Sequence, residues 1–248
     1  TFAFYCLKTN NFIALKYFYE KGLRLAHDSI DVIVENEQIY EDVLLAIRME
    51  CDQDIIDFLI TNEKKPNKRY VIRNGSAGEL NNSTILFRID NYVMFEHVIT
   101  KMKLQVIINA FSIHYNPELS RKTVLDYAIE KDDKKLMSII NKYGGLTIRE
   151  ALLKMSKDDL TKNIYRKGFV NTDALVLREM PTKESSKILT LTQGTRVGVI
   201  SISKWEMIDG ISSNWYLVAY ENNVGYCFGG YLKLSDYEYD LYEEARKF

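Results

Sequence analysis

The stretch Thr123–Gly145, with the sequence TVLDYAIEKDDKKLMSIINKYGG, predicts two short antiparallel helices. Apolar residues recur at intervals of three and four on both sides of the polar run Glu130–Asp133, which is the spacing of a buried helical face. The pair Gly144-Gly145 ends the second helix, because glycine reaches left-handed backbone angles without steric cost.

Similar patterns occur three more times in the first two-thirds of the chain. Thr1–Leu7 aligns with Thr123–Ile129 without a gap, and looser copies begin near Glu41 and Thr84. A single helix pair of this size cannot bury its apolar face alone, so we expect the copies to stack on one another.

These copies resemble ankyrin repeats. The resemblance rests on residues typical of that family: Tyr127, Ala128, Asp132, Leu136, Met137, Ile139, Ile140, Tyr143, Gly144 and Gly145. It departs from the family in lacking the opening Pro and the turn Gly, and the copies are spaced more widely than the usual ~33 residues. The resemblance implies an α-helical ankyrin-like repeat solenoid over residues 1–167, closed by a helical cap at Thr147–Gly168. A generic solenoid of helical hairpins is the alternative.

From Phe169 onward the period of the pattern becomes that of strands. Short apolar or alternating runs are separated by turn residues such as Gly194 and Gly210, and they include Arg196–Ile202 and Lys204–Met207 as two separate strands. Several short strands at this spacing are typical of a small β-barrel.

The same region resembles bacterial SH3 domains. Three segments carry the resemblance: Ala174–Pro181, Leu191–Val197 and Asn214–Leu232. Its departure is Tyr226-Cys227, where that family usually has Trp-Val. The expected fold class is therefore multidomain α + β: a repeat solenoid, then a small SH3-like β-barrel over residues 168–234. Residues 235–248 form an acidic aromatic tail, either a short helix or a frayed end.

Composition excludes several functions. The chain has 248 residues and a net charge of −1, so no basic field indicates a nucleic-acid partner. Cys6, Cys51 and Cys227 are too few and too scattered for a disulfide framework. No apolar run reaches the ~18–20 residues of a transmembrane segment. Since the chain does not begin with Met, we expect a mature or trimmed form.

The sequence contains no recognisable reaction centre. His27, His97 and His114 lie far apart and none belongs to a metal-spaced pair. The glycine-containing stretch Asn74–Gly78 lacks the Lys of a phosphate-binding loop. We therefore predict that the protein is not an enzyme and that it binds no cofactor and no metal.

The remaining candidate site is aromatic. Its predicted binding residues lie in the strand region: Trp205, Trp215, Tyr216, Tyr226, Phe228 and Tyr231. Alternate side chains along a strand point outward, and exposed aromatic strips on small barrels hold extended peptides. The alternative is that these rings pack inside the barrel and dock it against the repeats.

Three functions remain open at this stage. The first is a non-enzymatic adaptor that binds a protein partner through the repeats and a peptide or peptidoglycan fragment through the barrel. The second is a structural or assembly subunit whose barrel only caps the solenoid. The third is the targeting part of a larger envelope hydrolase. The resemblance to bacterial SH3 domains implies the bacterial cell envelope, in the periplasm, with the cytoplasm as the alternative; oligomeric state is left open.

Overall fold

The computed structural model describes residues 2–22, 43, 46–47, 49–62, 70–74, 79–83, 86, 89, 91–101, 108–109, 113–114 and 121–235. The chain divides into two compact units. The first comprises Thr1–Ile113 and Thr123–Gly145, and the second comprises His114–Lys122 and Leu146–Phe248. The predicted form of the tail, a helix or a frayed end, falls on residues 236–248, which lie outside the described residues.

The first unit contains six of the described helices. They are α1 (Phe2–Lys8), α2 (Phe12–Glu20), α3 (Gln53–Thr61), α4 (Tyr92–Lys101), α5 (Val124–Glu130) and α6 (Lys134–Lys142). Between α3 and α4, strands β1 (Tyr70–Asn74) and β2 (Glu79–Ser83) pair antiparallel, and the two-residue strand β3 (Ile113–His114) extends their sheet.

Helices α5 and α6 begin at side chains that cap them. The Thr123 hydroxyl accepts from the N–H of Asp126, whose carboxylate accepts from the N–H of Thr123, and this reciprocal pair satisfies donors that a helix start leaves unpaired. Asp133 accepts from the N–H of Leu136 at the start of α6. Ala128 and Ile140 are fully buried on the facing sides, so local sequence sets both the ends and the packed faces of this pair.

The predicted repeat solenoid is wrong. In the described residues the helices are short and scattered, with no evident repeating helical unit, and the hairpin β1–β2 interrupts them. A spacing of three and four residues shows that one helix face is buried, but it does not show that helices recur at a constant interval. The sequence does not predict the β1–β2 hairpin, because Glu79–Ser83 reads ELNNS and lacks the apolar alternation of a half-buried strand.

The described residues of the second unit form two helices and seven strands. They are α7 (Ile148–Leu153), α8 (Lys157–Lys162), β4 (Arg166–Val170), β5 (Ala174–Arg178), β6 (Lys187–Thr192), β7 (Arg196–Ile208), β8 (Ile211–Tyr220), β9 (Asn223–Phe228) and β10 (Leu232–Leu234). A 3₁₀ turn at Gly229–Tyr231 joins the last two strands. Two helices and the first two residues of β4, which sequence analysis assigned to the repeats, thus lie in this unit.

The sheet is an antiparallel half-barrel, which corrects the prediction of a small SH3-like β-barrel. Its strand order is β10-β4-β7-β8-β9-β5-β6, so β10 and β6 are its edges. The two short strands predicted at Arg196–Ile202 and Lys204–Met207 are one strand of 13 residues. Polar Ser201, Ser203 and Lys204 resemble a break in the sequence, but here they lie within β7, which pairs with β8 on both sides of a register shift between Ile202 and Trp205.

A compact apolar core fills the half-barrel. It consists of Tyr165, Val170, Leu175, Leu177, Leu191, Val197, Val199, Val218, Cys227 and Leu232. Burial raises the pKa of the Cys227 thiol to about 12, so this cysteine is a packed apolar side chain at neutral pH. Among the described residues, the helices are all too short or too polar to cross a membrane.

Candidate functional site

Strands β7 and β8 form a hairpin whose turn is fixed by two residues with positive φ. Asp209 has φ 52° and Gly210 has φ 82°, and Ile208 pairs with Ile211 across the turn. Two central residues with positive φ match the right-handed twist of the flanking strands. The hairpin is therefore a rigid platform for the side chains near its end.

A bulge in β7 decides which side chains share a face. Ile202 pairs with Tyr216 and Trp205 pairs with Asn214. Between these two pairs the chain advances three residues on β7 but only two on β8. The extra residue reverses the alternation of side chains beyond it. Trp205 therefore lies on the same face as Asn214 rather than on the opposite one.

The exposed face of the hairpin carries two large apolar side chains. Trp205 and Met207 are each 62% exposed and occupy alternate positions on β7. Their cross-strand partners are Asn214 and Ser212. We call these four residues the Trp205 face.

The opposite face of the hairpin is packed. Trp215 is only 2% exposed, and its ring meets Phe228 edge-on with centroids 5.7 Å apart. Phe228 in turn meets Tyr231 at 5.9 Å. The indole N–H of Trp215 donates to the Glu206 carboxylate at 2.6 Å, which satisfies the one polar atom of this buried ring.

The six aromatic residues predicted as a binding site do not share one surface. Trp215, Tyr226 and Phe228 are buried, and Tyr216 and Tyr231 are half-buried. Only Trp205 projects into solvent with most of its surface. Met207 was not predicted, although its alternation with Trp205 in the run KWEM is the signal that identifies it.

One further contact holds the end of the hairpin. Lys183, in the loop between β5 and β6, pairs with Asp209 at 2.8 Å. The hydrogen bond to Asp209 raises the pKa of the Lys183 ammonium. This exposed ion pair joins the loop to the turn of the hairpin.

Among the described residues, no strand pairs with the outer edge of β7 beside the Trp205 face. Strand β4 pairs with β7 only from Arg196 to Val199. Beyond Val199, and within the part of the chain that the structure describes, β7 has a strand neighbour only on its β8 side. An edge of this kind presents backbone N–H and C=O groups that a further strand can use.

A cavity of about 570 Å³ lies in the first unit. Lys131, Asp132, Asp133 and Lys134 lie on its rim, so the two cations and two carboxylates leave no net charge there. Asp133 accepts from the Tyr92 hydroxyl at 2.9 Å and also caps α6. Because this carboxylate is already engaged, we place the candidate site on the hairpin.

Metal chemistry has no visible centre in the described ranges, where no three His, Cys, Asp or Glu side chains converge as ligands. Comparison with models of known families found no match, and comparisons with curated proteins and with solved structures found none either. The resemblances to ankyrin repeats and to bacterial SH3 domains therefore stay predictions from the sequence.

Proposed function

We propose that this chain is a non-enzymatic interaction protein and that it binds an extended segment of a protein partner on the Trp205 face. The observation that carries the proposal is the pair Trp205 and Met207, two large apolar side chains exposed side by side on a rigid hairpin. Trp and Met are enriched at protein interfaces, whereas most exposed strand positions are polar.

An extended peptide segment fits both the spacing of the Trp205 and Met207 side chains and the edge of β7. Trp205 and Met207 are two residues apart on one strand face, about 6.5–7 Å along the strand, which is also the repeat of side chains in an extended peptide. The open edge of β7 offers main-chain hydrogen bonds to such a segment. The bulge before Trp205 shortens the run available for pairing, so we expect side-chain contacts to supply most of the affinity.

A cell-wall glycopeptide is the second candidate ligand. It is favoured by the sequence resemblance of Phe169–Leu234 to bacterial SH3 domains, and by the Asn214 amide opposite the Trp205 ring. This ligand would place the protein in the bacterial cell envelope.

Selection with a phage-displayed library of random linear peptides tests the proposal. The full chain is the bait, and the most enriched peptide is labelled and titrated by fluorescence anisotropy. We expect micromolar binding that Trp205→Ala weakens about tenfold or more, since a central Trp commonly supplies about 2 kcal/mol of binding energy.

The matched control is Ile13→Ser, which removes an even more exposed apolar side chain from α2 and should leave binding unchanged. The proposal would be overturned if the selected peptides bound the Trp205→Ala protein with the same affinity as they bind the parent protein. Co-sedimentation with purified peptidoglycan, lost in Trp205→Ala, would favour the second candidate instead.

A further inference from the structure

We infer that Met207 is a site of reversible oxidation and that its sulfoxide switches off binding at the Trp205 face. The second half of this inference rests on the proposed function. The first half rests only on the exposure of Met207 and is measured separately.

Met207 is the most exposed methionine among those that the structure describes. At 62% it exceeds Met180, which is 39% exposed. The remaining described methionines are shielded: Met49, Met94 and Met137 pack against the core of the first unit, and Met155 is half-buried. The Met155 sulfur also accepts a contact of 3.7 Å from the Asn163 amide.

The chemistry needs only a peroxide and the thioether. A sulfur lone pair attacks the distal oxygen, the O–O bond breaks, and one oxygen atom transfers to sulfur while the other leaves as water. Sulfur is oxidised by two electrons and the peroxide is reduced by two. Methionine sulfoxide reductases reverse the reaction at the expense of a dithiol, which becomes a disulfide.

The position of Met207 separates the effect on binding from an effect on folding. Its side chain stands outside the packed cluster of Trp215 and Phe228, because Met207 and Glu206 point to opposite faces. A polar sulfoxide at this position therefore leaves the hairpin intact. It makes one of the two apolar side chains of the Trp205 face polar, and so reduces the apolar surface that this face offers to a partner.

Peptide mapping by mass spectrometry tests the modification itself. The full chain is exposed to dilute hydrogen peroxide, and the sulfoxide at each methionine is followed with time. We expect Met207 to oxidise several-fold faster than Met180, and Met94 and Met137 to oxidise last. Oxidation of Met207 at the same rate as Met94 would overturn the inference.

Binding of the selected peptide tests the consequence. Affinity should fall about tenfold as Met207 oxidises and should recover after treatment with methionine sulfoxide reductases A and B. Met207→Leu has no sulfur to oxidise at this position, so the affinity of this variant, whatever its value, should not change with peroxide, while the affinity of Met180→Leu should still fall.

Failure of the oxidation switch and failure of the proposed function give different experimental results. Unchanged affinity of fully oxidised protein would overturn the switch while leaving the proposed function in place. Absence of any selected peptide would overturn both the proposed function and the switch, and the order of oxidation would still report on the modification site.

Discussion

The backbone N–H of Arg121 donates a hydrogen bond of 2.8 Å to the hydroxyl of Ser201, which lies 80 residues further along the chain. Both residues are buried. The Arg121 guanidinium also donates to the carbonyl and side-chain oxygens of Asn163, at 3.2 and 3.3 Å. The segment that carries Arg121 is thereby fixed within the second unit.

This contact makes the second unit discontinuous in sequence. Ile113 and Thr123, on either side of the segment, belong to the first unit. A fragment beginning at Leu146 therefore contains the half-barrel but lacks Arg121. The Arg121 segment is consequently a structural component of the half-barrel and should stabilise it.

Ser201→Ala tests this role. We expect the free energy of unfolding to fall by about 1–3 kcal/mol, because the substitution removes the acceptor of a buried N–H. Urea denaturation of the full chain measures the loss. Ser212→Ala, at an exposed position of the same sheet, is the control, and equal losses in the two variants would contradict the structural role.

Glu206→Ala tests the packed face of the hairpin. The substitution leaves the indole N–H of Trp215 without its carboxylate acceptor, so we expect a loss of about 1.5–3 kcal/mol and a weaker near-ultraviolet circular dichroism signal. Lys204→Ala breaks only the exposed 3.4 Å pair with Glu206 and should cost less than about 1 kcal/mol. A larger loss for Lys204→Ala than for Glu206→Ala would show that the pairing is misassigned.

Asp57 gives the first unit a defined pH dependence. Burial raises the pKa of this carboxyl, but hydrogen bonds from Lys101, His97 and Gln53 outweigh it and hold the pKa below its ordinary value. The ionised form is therefore favoured in the folded state. Its contribution to stability is complete above the ordinary pKa of about 4 and is lost as pH falls through the lower, folded-state pKa.

Asp57→Asn should remove that part of the acid dependence. Urea denaturation between about pH 7 and pH 3 should show a smaller loss of stability in this variant than in the parent. Asp54→Asn, on the exposed side of the same helix, should keep the parental slope. Parallel curves for the parent and Asp57→Asn would refute the assignment.

The turn between α5 and α6 contains a residue with positive φ, so substitutions there should change stability through backbone strain. Asp132 has φ 50°, where a β-branched residue is strained by about 1–2 kcal/mol and glycine is not. Thermal denaturation should therefore find Asp132→Val destabilised and Asp132→Gly at least as stable as the parent. At the neighbouring Lys131, φ is −84°, so Lys131→Gly should not have this advantage in stability over Lys131→Val. If Gly were more stable than Val by the same amount at both positions, the turn geometry would be contradicted.

The sequence identified helices where local signals determine them. Helices α5 and α6 lie within the predicted pair Thr123–Gly145 because their caps and apolar faces are encoded within a few residues. The interval between helices is not encoded in this way, and the expected solenoid failed for that reason. Likewise, no local pattern shows that Arg121 packs against a strand 80 residues away.

The prediction of the candidate site was incomplete for a related reason. Aromatic crowding between Trp205 and Tyr231 was visible in the sequence, but assigning each ring to a face requires the strand register. Two register shifts precede Trp205 on β7, one between Val199 and Ser201 and one between Ile202 and Trp205, and no local pattern in the sequence shows them. Trp205 consequently stands in solvent while Trp215 is enclosed, and Met207 joins the exposed face.

Acrylamide quenching of single-tryptophan variants tests the central claim most directly, because the chain has only two Trp residues. The Trp215→Phe protein retains Trp205 and should be quenched nearly as strongly as free tryptophan, with red-shifted emission. The Trp205→Phe protein retains Trp215 and should be several-fold less quenched, with blue-shifted emission. Equal quenching of the two variants, or a shielded Trp205, would contradict both the exposed face and the function proposed for it.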